Sequence, residues 1–185
     1  IRATLLQTEK TGPNSDLETR EATVQKRPTV ALLLSGGVDS SVALSLLLQQ
    51  GYDVTCFYLK IWLEDELAHL GECPWQDDYE TCQAVCAHLG NVPLETISLQ
   101  QEYLQHVIHY TVQTAQQGRT PNPDIWCNSR IKFGCFYEAI ATRDFDYIAT
   151  GHYAQLVRNT DDDNPSSKLL RAPDPVKDQS YFLCA

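Results

Sequence analysis

Ser35-Gly36-Gly37-Val38-Asp39-Ser40-Ser41 lies between the apolar run Val30 to Leu34 and the apolar-periodic run Val42 to Leu48. That order sets a glycine- and hydroxyl-rich loop between a buried strand and a helix N-terminus, where free backbone N–H groups and the helix dipole favour bound phosphate. Gly36 and Gly37 allow positive φ and close approach of an anion to the backbone, and Ser35, Ser40 and Ser41 add hydroxyl donors. The loop therefore reads as a nucleotide-phosphate site. It is not a Walker loop, which needs a lysine absent here, and G-x-G-x-x-G is absent too. The same residues also suit a plain strand-to-helix turn capped by Asp39 or Ser40.

Working outward, β-α alternation is regular. A strand is predicted over 29–34, a helix over 39–50 with Gly51 just past its end, and a strand over 53–60. An acid-rich insertion, Trp62 to Trp75, follows. Asp77 or Asp78 then caps a helix running to about Leu89, residues 93–98 make a third strand, and a longer helix spans about 101–117. The segment Arg119 to Asn128 reads as a loop, with a helix from about Arg130 to Thr142 and a strand over 147–150. This alternation predicts an α/β fold with a doubly wound parallel sheet and its ligand at the carboxyl ends of the strands. Residues 1–27 are polar and read as a flexible extension, 28–158 as the nucleotide-binding domain, and 159–185 as the start of a second region.

The 185 residues carry 14 basic and 24 acidic side chains, a net charge of −10, which disfavours non-specific nucleic-acid binding by the whole chain. The charge is uneven: Lys60 to Glu80 holds one basic and seven acidic residues, whereas Arg119 to Arg143 holds four basic and two acidic. A nucleic acid would meet the second segment. No run approaches the roughly 18 apolar residues of a membrane span, so no membrane partner is expected. The chain begins at Ile1 and contains no Met, so it reads as an incomplete or processed product.

Seven cysteines form an odd set without the spacing of a secreted disulfide scaffold. Cys56, Cys82, Cys86 and Cys135 read as small buried hydrophobes, while Cys82 and Cys86 with Cys73 upstream leave a metal or iron–sulfur site open. Cys127 differs. Pro121 and Pro123 rigidify a loop that presents Asp124 and Cys127 three residues apart. A cysteine near a helix N-terminus and close to Arg130 and Lys132 should have a stabilised thiolate, and Asp124 could move protons beside it. A turn-capping Asp124 and a buried Cys127 would fit the same residues.

The loop SGGVDSS resembles that of the PP-loop ATP pyrophosphatases, whose fold is adenine nucleotide α-hydrolase-like. Together with FYLKIW, GRTPNPDIWCN, IKF, ATGHY and KDQSYFL, in that order, it resembles the tRNA-specific 2-thiouridylases of the MnmA type over nearly all of residues 30–185. The resemblance implies thiolation of a wobble uridine: ATP adenylates the base O2, and a persulfide then delivers sulfur. The base would leave its stack to react.

It also implies roles residue by residue. Leu33, Leu34, Ser35, Gly36, Gly37, Val38, Asp39 and Ser40 would line the ATP site, with Asp39 holding Mg²⁺, and Leu59 and Gly151 would touch adenosine. Asn122, Pro123 and Asp124 would meet the target base, with Asp124 as acid/base and Cys127 as the first catalytic cysteine. His152, Lys177, Asp178 and Gln179 would contact tRNA. Implied partners are tRNA and a persulfide sulfur-donor protein. The second, persulfide-bearing cysteine has no match, since Cys184 stands too close to KDQSYFL. The Glu72-Cys73-Pro74-Trp75 insertion resembles plant or algal organellar members and implies a mitochondrial or plastid address. Another pyrophosphatase of this loop class, or a non-catalytic ATP- or tRNA-binding module, remains the alternative.

Overall fold

Val30, Leu32 and Leu34 face one side of a sheet and Ala31 and Leu33 the other, and all five are buried. A strand buried on both faces needs helices on both faces, which is the condition for a parallel sheet. The computed structural model of the chain, describing residues 2–7, 26–61, 74–159 and 166–183, meets it. The elements are β1 (Arg2–Gln7), β2 (Thr29–Leu33), α1 (Val38–Gln49), β3 (Asp53–Lys60), α2 (Pro74–His88) and β4 (Leu94–Ser98). Helix α3 (100–116) and helix α4 (123–140) follow, then β5 (Tyr147–His152), the strands β6 (Gln155–Asn159) and β7 (Ser166–Leu170), and the single turn α5 (Ser180–Leu183).

The main sheet has the order β1-β5-β2-β3-β4, with β5, β2, β3 and β4 parallel. The doubly wound α/β fold expected from the alternation is present. Helices α1 and α2 pack on the face holding Val30, Leu32, Cys56 and Ala149, and α3 and α4 on the face holding Ala31, Leu33, Phe57 and Ile148. On the second face Phe57 meets Phe136 edge-on at 5.4 Å between ring centroids. Gly51, Gly90 and Gly118 have φ of +83°, +104° and +71° just past helix ends, a conformation that disfavours a Cβ.

Four expectations need correction. The first residues are not all extension, because β1 pairs antiparallel with β5 from Arg2 opposite His152 to Gln7 opposite Tyr147. An outer strand of a parallel sheet leaves a row of backbone donors and acceptors open, and β1 fills it. Helix α2 begins at Pro74, inside the expected insertion, since proline is tolerated in a first helical turn. Helix α4 begins at Pro123 instead of near Arg130. Finally, β6 straddles the division expected at 158/159 and pairs antiparallel with β7 as one hairpin.

Cys56, Cys82 and Cys86 are buried in the first core, as expected of packing cysteines. Burial, with the neighbouring Cys86 and Asp78, pushes the Cys82 thiol up to about 12. Cys135 is only half-buried and packs against the second core. Among the described residues no group of three or more His, Cys, Asp or Glu could hold a metal, and Cys73 and Cys184 lie outside them. No described helix is long and apolar enough to cross a membrane.

Candidate nucleotide and thiol site

The loop after β2 turns into α1 without a capping side chain: Gly37 is the N-cap, and no side-chain hydrogen bond satisfies the helix there. The plain capping turn with Asp39 or Ser40 as N-cap is therefore not what forms. Ser40 Oγ instead donates to the Gly37 carbonyl at 3.0 Å and accepts from the Ser35 N–H at 3.3 Å, holding the loop closed on itself. First-turn N–H groups with no capping side chain are available to an anion.

Two glycines here serve different ends. Gly36 has φ +77°, and a Cβ on it would meet the Asp78 carbonyl at 3.1 Å, so its glycine is structural. At Gly37 a Cβ would have only Ser35 Oγ nearby, at 3.5 Å, and φ is −72°. Neither strain nor packing within the chain accounts for glycine at that position. Glycine is favoured at an N-cap, and here it also leaves the backbone open to close approach.

Beside the loop a cavity of about 140 Å³, open at its mouth, sits at the carboxyl ends of the strands. Leu33, Leu34, Ser35 and Ser40 form one wall, and Phe57, Tyr58, Leu59 and Ile61 another. Helix α4 contributes Cys127, Ile131 and Lys132, and β5 contributes Thr150, Gly151 and His152. Apolar walls with a few convergent polar groups are the usual construction of a small-molecule site.

Gly151 is fixed by sterics. A Cβ there would lie 2.4 Å from Ser40 Cα and N, so only glycine lets β5 abut the N-terminus of α1. His152 is 4% exposed and its Nδ1 lies 2.8 Å from Thr150 Oγ1. Burial, helped by the Lys132 charge and opposed by Asp39, lowers its pKa to about 4, so the ring is neutral at pH 7.

Helix α4 is where sequence and structure part furthest. Asn122 is the N-cap, its Oδ1 accepting from the Ile125 N–H at 3.3 Å, with Pro123 at the first helical position. Asn-Pro is itself an N-cap and N1 signal that could have placed this start. Cys127 thus stands inside the helix and not ahead of it. The expected stabilised thiolate is corrected too: burial pushes the Cys127 thiol up, Lys132 pulls against that, and Asp124 adds to it. Desolvation exceeds the pull of the cation.

From Cys127 to Cys135 the helix is π-wound, and α3 contains a π turn at Leu104–Ile108. Stretches of π-helix are rare and gather at functional sites. The buried Asn128 donates from Nδ2 to the Asp124 carbonyl at 2.8 Å, while its Oδ1 has no partner among the described residues. Tyr110 stacks on Trp126 at 4.5 Å, and Arg130 lies over that ring at 5.1 Å.

The tail folds back onto α1, α4 and the end of β5. Lys177 Nζ pairs with Asp39 Oδ2 at 2.6 Å, and Gln179 Oε1 accepts from the Tyr153 N–H at 2.6 Å. Tyr181 donates to Asp124 Oδ2 at 2.9 Å, and the Phe182 ring lies edge-on to His152 at 5.6 Å. Asp178 accepts from the Ser180 N–H and pairs with Arg171.

Of the residues expected at the ATP site, Leu33, Leu34, Ser35, Ser40, Leu59 and Gly151 line the cavity, and Cys127 and His152 join them. Gly36 and Gly37 on the loop and Val38 and Asp39 in the first turn of α1 lie outside that lining, and so do Asn122, Pro123, Asp124, Lys177, Asp178 and Gln179 in their own segments. Sequence reasoning gave Lys132 only as a charge near Cys127 and passed over Thr150 and Ile131. Asp39 could meet a Mg²⁺ carried on nucleotide phosphates, which needs only one or two protein carboxylates. Its ion pair with Lys177 would have to open.

The sequence profile of the tRNA methyl transferase HUP domain matches residues 28–185. The tRNA-specific 2-thiouridylase MnmA of Christiangramia forsetii is 43% identical over 84% of this chain and 39% of its own length. That of Porphyromonas gingivalis is 47% identical over 83% of this chain and 41% of its own. The chain thus spans about two fifths of the curated relatives it matches. Among solved structures, an NH3-dependent NAD synthetase from Campylobacter jejuni matches with a TM-score of 0.40 at 18% identity, over 65% of this chain and 46% of that one.

Proposed function

We propose that this chain, which belongs to the tRNA methyl transferase HUP-domain family, carries the nucleotide-dependent activation step of tRNA 2-thiolation. The observation that supports the reading most is one cavity shared by the phosphate-loop residues Ser35 and Ser40 and by Cys127. A C2 carbonyl is a poor electrophile and its oxygen a poor leaving group. A thiol beside a nucleotide site is what an enzyme needs if it first activates that oxygen and then exchanges it for sulfur.

In the proposed reaction the uridine O2 attacks the α-phosphorus of ATP, the bond to the β-phosphate oxygen breaks, and pyrophosphate leaves. The outer sulfur of a persulfide brought by a sulfur-donor protein attacks C2, and AMP departs with the oxygen. Cys127 then attacks the inner persulfide sulfur, closing a disulfide and releasing the thiolated base. The Cys127 proton must go elsewhere at that step, because burial holds the thiol protonated. Asp124, three residues earlier in the helix, is the proposed acceptor. Mg²⁺, where bound through Asp39, would neutralise charge on the pyrophosphate.

Asn122 and Pro123 would steer the target base, and Lys177, Asp178 and Gln179 would meet the tRNA. A tRNA contact through His152 requires the Phe182-bearing tail to move first, since the ring is buried. An organellar address is part of the same proposal and would be read from the protein's location in intact cells.

The test supplies the full chain with ATP, unmodified tRNA and a persulfide donor, and follows AMP, pyrophosphate and 2-thiouridine. Pyrophosphate release that depends on tRNA, with thiouridine lost in Cys127→Ser, is expected. ATP binding with no AMP formed under any combination would overturn the enzymatic reading in favour of a binding module. Pyrophosphate release driven by an acceptor other than tRNA would point to another enzyme of the loop class.

A further inference from the structure

The phosphate loop offers neutral donors only, Ser35, Ser40 and backbone N–H groups, and has no lysine of its own. A bound polyanion needs a cation from elsewhere. Lys177 is engaged with Asp39. Among the described residues Lys132 is the one lysine or arginine lining the cavity, and it makes no ion pair with any of them. A half-buried ammonium without a carboxylate carries a desolvation cost that a bound anion would offset.

Its position follows from the helix winding. In an α-helix, at 3.6 residues per turn, a residue five places on points roughly 140° away from the first. The π winding of Cys127–Cys135 turns position 132 back toward position 127, and both side chains line the cavity. The Lys132 charge is felt on both walls, at Cys127 and at His152. The carboxylates nearest these groups are committed outside the cavity, Asp39 to Lys177 and Asp124 to Tyr181.

We infer that Lys132 is an anion-positioning residue: its ammonium takes a phosphoryl oxygen of the bound nucleotide and holds that group between the Ser35–Ser40 loop and Cys127. The inference rests on the nucleotide reading above and adds to it the residue that supplies the missing positive charge. One lysine would then serve the phosphate while the nucleotide is bound and the thiol when the phosphate has left.

Calorimetric titration of the full chain with AMP, ATP and adenosine tests it in wild type, Lys132→Gln and Lys132→Arg. The expected result is about a tenfold loss of AMP affinity in Lys132→Gln, as for a lost charge-assisted bond, with adenosine affinity unchanged and most of the loss restored in Lys132→Arg. Iodoacetamide should also alkylate Cys127 several-fold more slowly in nucleotide-free Lys132→Gln. Equal losses for AMP and adenosine would reduce Lys132 to a structural residue. Slower alkylation with unchanged AMP affinity would leave it serving the thiol alone, and either result overturns the inference. Should Lys132→Gln fail to fold, acetic anhydride labelling of wild type decides: AMP, and not adenosine, should protect Lys132. Wild type that binds no adenine nucleotide would overturn the nucleotide reading itself.

Discussion

On one face of the sheet α1 and α2 are ordinary α-helices over Val30, Leu32, Cys56 and Ala149, whereas on the other α3 and α4 each contain a π-helical segment over Phe57 and Ile148. Both faces bury a core of aliphatic and aromatic side chains. They differ in what they present. The regular face ends in the loop before α1, where backbone N–H groups at a helix N-terminus have no capping side chain. The π-wound face presents side chains, Cys127 and Lys132, to the same cavity. Cys127 and Lys132, five places apart, face one cavity because the helix between them is π-wound.

The sharpest way to break this comparison is a pair of core truncations. Phe136, fully buried beneath the π-wound face, should lose about 4 kcal/mol on Phe136→Ala, and Leu44, fully buried on the regular face, about 3 kcal/mol on Leu44→Ala. Urea unfolding gives both values. Under conditions where each variant is folded, Phe136→Ala should change Cys127 alkylation, because Phe136 and Cys127 belong to the same core. Leu44→Ala should leave it alone. Equal effects on alkylation would mean that the two faces are not separable units.

Next in size is a pH effect carried by β5, where the two faces meet. His152 has its pKa lowered to about 4 by burial and the Lys132 charge, with Asp39 opposing. In the unfolded chain it takes up a proton near pH 6.5. As pH falls from 6.5 toward 4 the unfolded state binds a proton that the folded state does not, so stability present above pH 6.5 is lost, by about 3 kcal/mol in all. His152→Asn should flatten the stability profile in that window. An unchanged slope would mean that His152 is protonated in the fold.

A smaller loss is expected where the faces touch through backbone. Gly151→Ala places a Cβ 2.4 Å from Ser40 and must push α1 off β5, at about 2 kcal/mol by the scale of core overpacking. Its nucleotide affinity should fall with it, because Ser40 ties the loop to Gly37. Gly37→Ala should lose nucleotide affinity at a stability cost of no more than about 1 kcal/mol, the preference of an N-cap for glycine over alanine, since a Cβ there meets only Ser35 Oγ at 3.5 Å. A Gly37→Ala protein that binds AMP normally would remove the case for close phosphate approach.

The strands and helices of both faces were legible in the sequence, and the π winding of one was not. Strand, loop and helix from Thr29 to Gln49 follow from an apolar run, two glycines and helical spacing, all local signals. The same holds for Gly51, Gly90 and Gly118 as helix stops. Apolar spacing finds a helix over about 101–117, close to the observed 100–116, but does not tell α from π winding, since a π turn shifts hydrogen-bond partners by one residue without changing composition. Cys127 was singled out by its neighbours in sequence, yet its thiol is governed by burial, which depends on Ile131 and the second core. The partner strand of β5 escaped because edge pairing is a property of the sheet and leaves little mark on a short polar segment.

The least costly change separates two roles that coincide at Asn122. Its Oδ1 caps α4 through the Ile125 N–H, so Asn122→Ala should cost about 1 kcal/mol and fray the turn that precedes Cys127. Asn122→Asp keeps a capping oxygen and adds a negative charge at the helix N-terminus, so unfolding should return to near the wild-type midpoint. If Asn122 also steers the target base, Asn122→Asp should still bind tRNA and form thiouridine more weakly than wild type, because it has lost the amide donor. Full recovery of both stability and thiolation in Asn122→Asp would leave Asn122 as a cap alone, and the π-wound face would owe its chemistry to Cys127, Asp124 and Lys132.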